Sequence, residues 1–285
     1  LGRTKSVAIV PSYQLERLYI NTYNGDYRQD GAYRQLFQTS SLDFQTSAHK
    51  SFTVGIGTAF EHVRFRPAIQ SQFEAEGSFS NHNSYLFAKY HTLNQTFYPT
   101  RGVKLRTELG YVYDQNPDIN LFQDGEPAGD ANINFDNFAR LYLDGTFHVP
   151  LSGDFNLFSE FQSGINLTDQ PNVLNNFSVG GIRGDFRNQI RFAGLREASI
   201  STPSAAMLQM GLRYRMFNNI YIIGRASGLV RDFISVNGDP ANTTFLTGYA
   251  ATFAYKTPLG PFELSAMYSP ESNSVQSYVR FGIAF

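Results

Sequence analysis

Apolar and polar residues alternate along nearly the whole chain, and a side-chain period of two indicates β-strands that carry one apolar face. In the segment 138–149, Arg140 and Asp144 stand among alternating aliphatic and aromatic residues. The same pattern recurs in 103–113 and 207–217, while helical periodicity is weak everywhere. The sequence therefore predicts an all-β fold.

About twelve segments of this kind are present, each roughly ten or more residues long, which is the strand length of a membrane-spanning barrel. The predicted strands are 6–20, 33–48, 51–66, 84–93, 102–115, 138–149, 154–166, 206–217, 218–230, 247–256, 260–269 and 277–285.

The connections between these segments are of two lengths. Short links at 48–50, 150–153, 217–219 and 257–260 alternate with long polar ones at 21–31, 67–83, 116–136, 167–205 and 231–244. Short turns at one end and long loops at the other are typical of outer-membrane barrels. We therefore predict an antiparallel transmembrane β-barrel, formed by a single outer-membrane domain over 1–285 with a long inserted loop at 167–205.

Composition agrees with a sheet that faces lipid. Aromatic residues make up 15% of the chain and charged residues only 16%, against roughly 25% charged residues in a soluble domain. The net charge of -1 provides no basic surface for nucleic acid, and no apolar run of about 18 residues could form a transmembrane helix. A soluble lipocalin-like barrel stays open as the alternative, because its strands alternate in the same way with the apolar face inside. In a membrane barrel, charges of both signs would fall in the lumen and form a structural network.

The end of the chain carries a second indication of the membrane. The last predicted strand contains Phe281, Gly282, Ile283 and Phe285, and the sequence stops on the aromatic residue. This ending resembles the carboxy-terminal recognition signal of bacterial outer-membrane barrels. The resemblance implies a place in the bacterial outer membrane, with outer-membrane lipids, lipopolysaccharide and the barrel assembly machinery as partners. A homodimer or a contact with other proteins stays open.

The stretch 177–204 is rich in glycine and arginine and shows neither helical nor strand periodicity. Loops of this length are uncommon in compact folds and are usually functional. Glycines permit tight turns and close backbone approach, whereas arginines need carboxylates or water. A polar cavity inside the barrel would satisfy both requirements.

This stretch resembles the lumen-inserting sixth loop of the bacterial surface-antigen superfamily, which includes the outer-membrane insertase and the two-partner secretion transporters. That loop carries V-R-G-F or a close variant, and its arginine reaches an acidic residue of the inner wall. I-R-G-D-F at 182–186 inserts an Asp into the motif, and F-A-G-L at 192–195 lacks the arginine. The loop residues that the resemblance marks are Gly180, Gly181, Arg183, Gly184, Phe186, Phe192, Gly194, Leu195 and Arg196. It implies Arg183 or Arg196 as the anchor, and the candidate wall partners are Asp144, Glu160 and Glu263.

A second resemblance concerns F-Y-P-T-R-G-V-K at 97–104, followed by G-Y-V-Y-D-Q-N-P at 110–117. These segments are similar to the barrel part of patatin-like phospholipases of the Bacteroidetes type, in which an amino-terminal lipase domain precedes a barrel of about sixteen strands. The F-A-G-L variant also fits that branch. The resemblance implies a membrane anchor or translocation barrel, with about four strands before Leu1 or a smaller barrel. An outer-membrane insertase, a two-partner secretion transporter and a passive pore stay open as alternatives.

Enzymatic activity is not expected within these 285 residues. The G-x-S-x-G nucleophile elbow of a patatin domain does not occur, so any lipase activity is expected upstream of Leu1 in a longer polypeptide. The H-x-x-S-N-G signature of outer-membrane phospholipase A is also absent. The five histidines show no metal-ligand spacing and the chain has no cysteine, so neither a metal nor another cofactor is predicted.

Overall fold

The computed structural model describes residues 6–24, 27–69, 73–128, 135–168, 173–184, 188–234 and 242–282. Within these ranges the regular structure consists of twelve long strands, four short strands and one 3-10 turn at Val173–Asn175. No helix in the described ranges is long and apolar enough to cross a membrane. The predicted all-β fold is confirmed.

The long strands form one antiparallel sheet in chain order, because short links join most neighbours. They are β1 (Ser6–Tyr23), β2 (Gln29–His49), β3 (Phe52–Ile69), β4 (Phe73–His91), β5 (Gly102–Gln123), β7 (Phe138–Ser152), β8 (Phe155–Leu167), β12 (Ser204–Phe217), β13 (Ile220–Arg231), β14 (Thr244–Thr257), β15 (Gly260–Ser269) and β16 (Ser274–Phe281). The short strands are β6 (Glu126–Ala128), β9 (Phe177–Val179), β10 (Gln189–Ile190) and β11 (Ile200–Thr202). The sheet is the wall of an antiparallel barrel, and the predicted count of about twelve strands is confirmed.

The two faces of this wall differ in the way that a membrane barrel requires. On β12, Leu208, Met210 and Leu212 are 54%, 52% and 42% exposed, whereas Gln209 and Arg213 are each 4% exposed. Each long strand carries at least one exposed large apolar side chain. The outer face is therefore apolar, while charged and polar side chains lie on the inner face. A soluble barrel buries its apolar face, so this arrangement excludes the soluble alternative.

Three of the predicted long loops are mostly strand, and this part of the prediction is wrong. They are the loops at 21–31, 67–83 and 116–136. For example, β3 continues to Ile69 and β4 begins at Phe73, eleven residues before its predicted start at 84. The prediction relied on apolar alternation, which stops where the side chains become polar. Backbone hydrogen bonds between antiparallel strands continue through polar residues as well.

Glycines of the wall face aromatic rings on the neighbouring strand. In four cross-strand pairs, a Cβ on the glycine would collide with the ring opposite, so the ring covers bare backbone. The pairs are Gly55 with Phe87 and Gly57 with Tyr85, Gly145 with Phe161 and Gly211 with Phe158. A slip of one residue would move each ring away from its glycine, so these pairs favour a single register.

Candidate functional site

The long connection between β8 and β12 folds onto the inner face of the wall. We call residues 168–203 the inner loop, and the structure describes 168, 173–184 and 188–203 of it. Contrary to the expected lack of regular structure, β10 pairs parallel and β11 antiparallel with β9. These strands have two or three residues each, which is too short for a period of two to show in the sequence.

An apolar core joins the inner loop to the wall. Its loop members are Phe177, Val179, Ile190, Phe192, Leu195 and Ile200, and its wall members are Ala205, Met207, Leu229 and Leu246. Each of these side chains is 8% exposed or less. The interior is therefore apolar where the loop covers β12, β13 and β14. Burial of this surface, at about 25 cal/mol per Å², stabilises the loop in its place.

Two glycines of the wall allow the loop to come this close. A Cβ on Gly164 of β8 would collide with the ring of Phe177, and a Cβ on Gly248 of β14 would collide with the carbonyl oxygen of Ala193. The first obstacle is a side chain, but the second is loop backbone. A side chain at Gly248 would therefore force the loop backbone itself to move.

The predicted glycines of the loop serve its turns. Gly180, Gly181 and Gly194 have φ angles of +128°, +78° and +123°, which lie in the left-handed region that favours glycine. Gly184 lies at the edge of a polar cavity described below. Phe186, also part of the predicted motif, lies outside the described residues.

Arg183 and Glu263, two of the predicted site residues, are brought together. Arg183 Nη2 donates to both carboxylate oxygens of Glu263 on β15. The Glu263 side chain is only 3% exposed and that of Arg183 is 34% exposed. A carboxylate within the wall is thus neutralised by a guanidinium of the loop, and removal of Arg183 would leave the buried carboxylate of Glu263 without its ion pair.

The other two predicted carboxylates face a different arginine. Arg191 Nη2 lies 2.7 Å from Asp144 Oδ2, and Arg191 Nη1 lies 3.6 Å from Glu160 Oε2. Arg196, the alternative anchor, instead donates from Nε to Gln276 Oε1 at 2.5 Å. The sequence analysis did not single out Arg191 as an anchor. The sequence feature that could have indicated Arg191 is its position directly before F-A-G-L.

Polar side chains of β7 and β8 hold the loop backbone, and these contacts were not predicted. Gln162 Nε2 donates to the carbonyl oxygen of Gln189 at 2.8 Å, and Gln162 Oε1 accepts from the backbone N–H of Arg191 at 2.9 Å. Arg140 Nη2 donates to the carbonyl oxygen of Asn175 at 2.8 Å. Since Gln162 and Arg140 are each 4% exposed, these bonds satisfy polar groups that would otherwise be buried without partners.

A polar cavity of about 790 Å³ lies beside the inner loop. Its lining carries both signs of charge, from Glu16, Glu61, Glu108, Asp144, Lys89, Lys104, Arg106, Arg140 and Arg191. Mixed charges along a lumen suit a water-filled path better than a filter for one ion. The inner loop therefore fills one part of the interior and leaves a polar space beside it.

A second connection, residues 92–101 between β4 and β5, also reaches the inner face, and we call it the turn segment. Tyr98 is 8% exposed, and its ring centroid lies 4.6 Å from that of Tyr221. Its hydroxyl donates to Glu263 Oε1 at 3.0 Å. Burial, and then the charge of Glu263, raise the pKa of the Tyr98 hydroxyl above its ordinary value. Glu263 thus contacts both the inner loop and the turn segment, a role that the motif at 97–104 did not reveal.

Tyr98→Phe is expected to lower the free energy of unfolding by about 1.5–3 kcal/mol, because a hydrogen bond to a charged group is lost while the ring contact remains. Urea unfolding in lipid vesicles, followed by circular dichroism, measures this change. Tyr249→Phe is the control, since Tyr249 is 51% exposed on the outer face, and it should change the free energy by less than about 0.5 kcal/mol. Equal losses in both variants would contradict the importance of the Glu263 contact.

The carboxy-terminal signal is described in part. β16 spans Ser274–Phe281, and Phe281 is 64% exposed on the outer face. Gly282 follows it, whereas Ile283 and Phe285 lie outside the described residues. Over the same described ranges, no group of three or more His, Asp or Glu side chains is arranged to hold a metal ion.

Comparisons with known proteins agree with this architecture. A family profile described as the OMP85 superfamily matches residues 30–285. The structure of BamA from Haemophilus ducreyi lacking POTRA domains 1-3 aligns with a TM-score of 0.64 at 10% identity, over 96% of this chain and 60% of that one. CdiB from Escherichia coli aligns with a TM-score of 0.50 at 12% identity, over 96% of this chain and 49% of that one. No curated protein sequence gives a match.

At these identities the two structures show a shared fold, and this chain spans less than two thirds of the length of either. The family profile covers the inner loop, the turn segment and every wall strand except β1 and the first residue of β2. The predicted place in the bacterial outer membrane is confirmed. This chain belongs to the OMP85 superfamily, the surface-antigen group of outer-membrane β-barrels.

Proposed function

We propose that this chain is the translocation barrel of a patatin-like protein and that the inner loop closes its lumen in the resting state. The observation that carries this proposal is the position of the loop, which is held inside the wall by the Arg183–Glu263 ion pair. A polar cavity of about 790 Å³ lies directly beside it. A barrel that served only as an anchor would need neither this space nor a loop held by charge.

Two sequence motifs support the patatin part of the proposal, F-Y-P-T-R-G-V-K at 97–104 and F-A-G-L at 192–195. The first motif includes Tyr98, which donates a hydrogen bond to Glu263. In this proposal the lipase lies outside these 285 residues. The mass and amino-terminal sequence of the native polypeptide test it. A product several hundred residues longer with G-x-S-x-G upstream is expected, and it should hydrolyse phospholipids. A polypeptide that begins near Leu1 would overturn the patatin assignment.

Closure by the loop predicts a change in ion conductance. Arg183→Ala removes the charge that holds the loop to β15, so we expect longer and more frequent open states in planar lipid bilayers. Arg215→Ala is the control, because Arg215 pairs with Asp154 at an exposed site, with side chains 52% and 47% exposed. If both variants conduct as the wild type does, the loop does not close the lumen.

An outer-membrane insertase or a two-partner secretion transporter is the second candidate, favoured by the fold similarity to BamA. Vesicles that contain this barrel would then accelerate the folding of another outer-membrane barrel added in urea, or release an unfolded passenger. For either candidate we propose that the outer face contacts lipopolysaccharide and that a second copy of the chain packs beside the barrel. Chemical crosslinking in native membranes tests the latter.

A further inference from the structure

A separate cavity of about 120 Å³ lies between the inner loop, the turn segment and the inner face of the wall. Arg183 of the loop and Tyr98 of the turn segment both line it. At about 30 Å³ per water molecule, this volume has room for about four waters, or for a small oxyanion with one or two waters. This cavity and the larger polar cavity share no lining residue.

The lining of this small cavity carries an excess of positive charge. Four guanidinium groups line it, from Arg183, Arg213, Arg225 and Arg280, against the two carboxylates of Glu160 and Glu263. Glu263 is already engaged by Arg183, and Glu160 lies 3.6 Å from Arg191 of the loop. Both carboxylates of the lining are therefore already engaged by arginines of the inner loop, Glu263 by Arg183 and Glu160 by Arg191.

Two of the remaining three arginines donate to neutral groups. Arg213 Nη2 donates to Asn156 Oδ1 at 3.0 Å, and Arg225 Nη1 donates to Thr252 Oγ1 at 2.7 Å. Arg280 lies directly opposite Glu263 in the pairing of β15 with β16, and in the described residues its side chain donates to no carboxylate. Within that part of the chain, none of the three has a carboxylate within ion-pair distance.

The lining holds two more guanidinium groups than carboxylates, and guanidinium groups bind oxyanions through paired, charge-assisted hydrogen bonds. We infer that the small cavity binds a phosphate or sulfate group between Arg213, Arg225 and Arg280. Because Arg183 and Tyr98 also line the cavity, the bound ion stabilises the inner loop and the turn segment in their observed positions.

Titration of the full chain with inorganic phosphate tests this inference, in a phosphate-free glucoside detergent at an ionic strength held constant with chloride. A saturable rise in the unfolding temperature is expected, of about 2–4 °C at ten times the dissociation constant. Arg280→Gln should abolish the rise. This variant removes a guanidinium that stands opposite Glu263, so the rise with phosphate is measured for each variant relative to its own unfolding temperature without phosphate.

Two further variants separate binding from general stability. Arg225→Gln should also remove the response to phosphate, whereas Arg215→Gln, outside the cavity, should keep it. Equal rises with chloride and phosphate, or a full response in both Arg280→Gln and Arg225→Gln, would overturn the inference. A rise with phosphatidylglycerol but none with inorganic phosphate would also overturn binding of a free ion. These readouts do not depend on transport, so their failure leaves the proposed function standing.

Discussion

Arg183→Ala is expected to lower the free energy of unfolding of the barrel by about 3 kcal/mol, which is the low end for breaking a buried ion pair. Glu263 would keep its charge with the side chain only 3% exposed, whereas Arg183 is 34% exposed and leaves room for water. Urea unfolding in lipid vesicles measures the loss, and heat resistance of the folded band on a gel should fall with it.

A double-mutant cycle shows whether the loss belongs to this pair. Glu263→Gln removes the charge that Arg183 neutralises, so Arg183→Ala should cost less in that background, by about 1–3 kcal/mol. Arg215→Ala, at the exposed pair with Asp154, should cost less than about 1 kcal/mol. Additive losses at Arg183 and Glu263 would mean that the two side chains act independently, against the ion pair as the link between loop and wall.

Gly248→Ala is expected to lower the free energy of unfolding by about 3 kcal/mol, at the upper end of the usual cost of overpacking. The new Cβ would collide with the carbonyl oxygen of Ala193, so loop backbone has to move rather than a flexible side chain. We expect the inner loop to leave β14 while the wall stays paired. Limited proteolysis should then cut the loop faster, and urea unfolding gives the change in stability.

The chain offers a matched control for this substitution. Gly224 on the next strand, β13, has no heavy atom within 4 Å of a built Cβ, so Gly224→Ala should change stability by no more than about 0.5 kcal/mol. It alters strand propensity in the same way as Gly248→Ala. If the two variants lose the same stability and their loops are cut at the same rate, close contact of the loop with Gly248 is not what holds it.

The anchor region shows where inference from the sequence stopped. The loop motif marked Arg183, and Glu263 was one of three candidate partners, but the motif could not say which carboxylate each arginine would reach. Asp144 and Glu160 face Arg191 instead, because the path of the loop brings residue 191 next to β7 and β8. Ion pairs between residues so far apart in the chain depend on that path, and no local pattern encodes it.

Tyr98 is a similar case. F-Y-P-T-R-G resembles a family motif, but the motif does not indicate a partner for Tyr98. That partner is Glu263, which lies 165 residues later in the chain. The true lengths of strands such as β3 and β4, which extend into the predicted loop at 67–83, were missed for a different reason. Apolar alternation reports contact with lipid, whereas pairing of β3 with β4 continues through polar residues such as those near Gly77.

By itself, the sequence determined the all-β fold, the approximate number of strands, the alternation of the two faces and the place of the long loop. These are local properties, since a strand exposes its side chains with a period of two whatever surrounds it. Only the tertiary structure decided that the loop packs an apolar core against β12–β14, and that Glu263 is shared by Arg183 and Tyr98. Those features depend on which distant segments meet inside the barrel, and that is settled by packing and charge neutralisation in three dimensions.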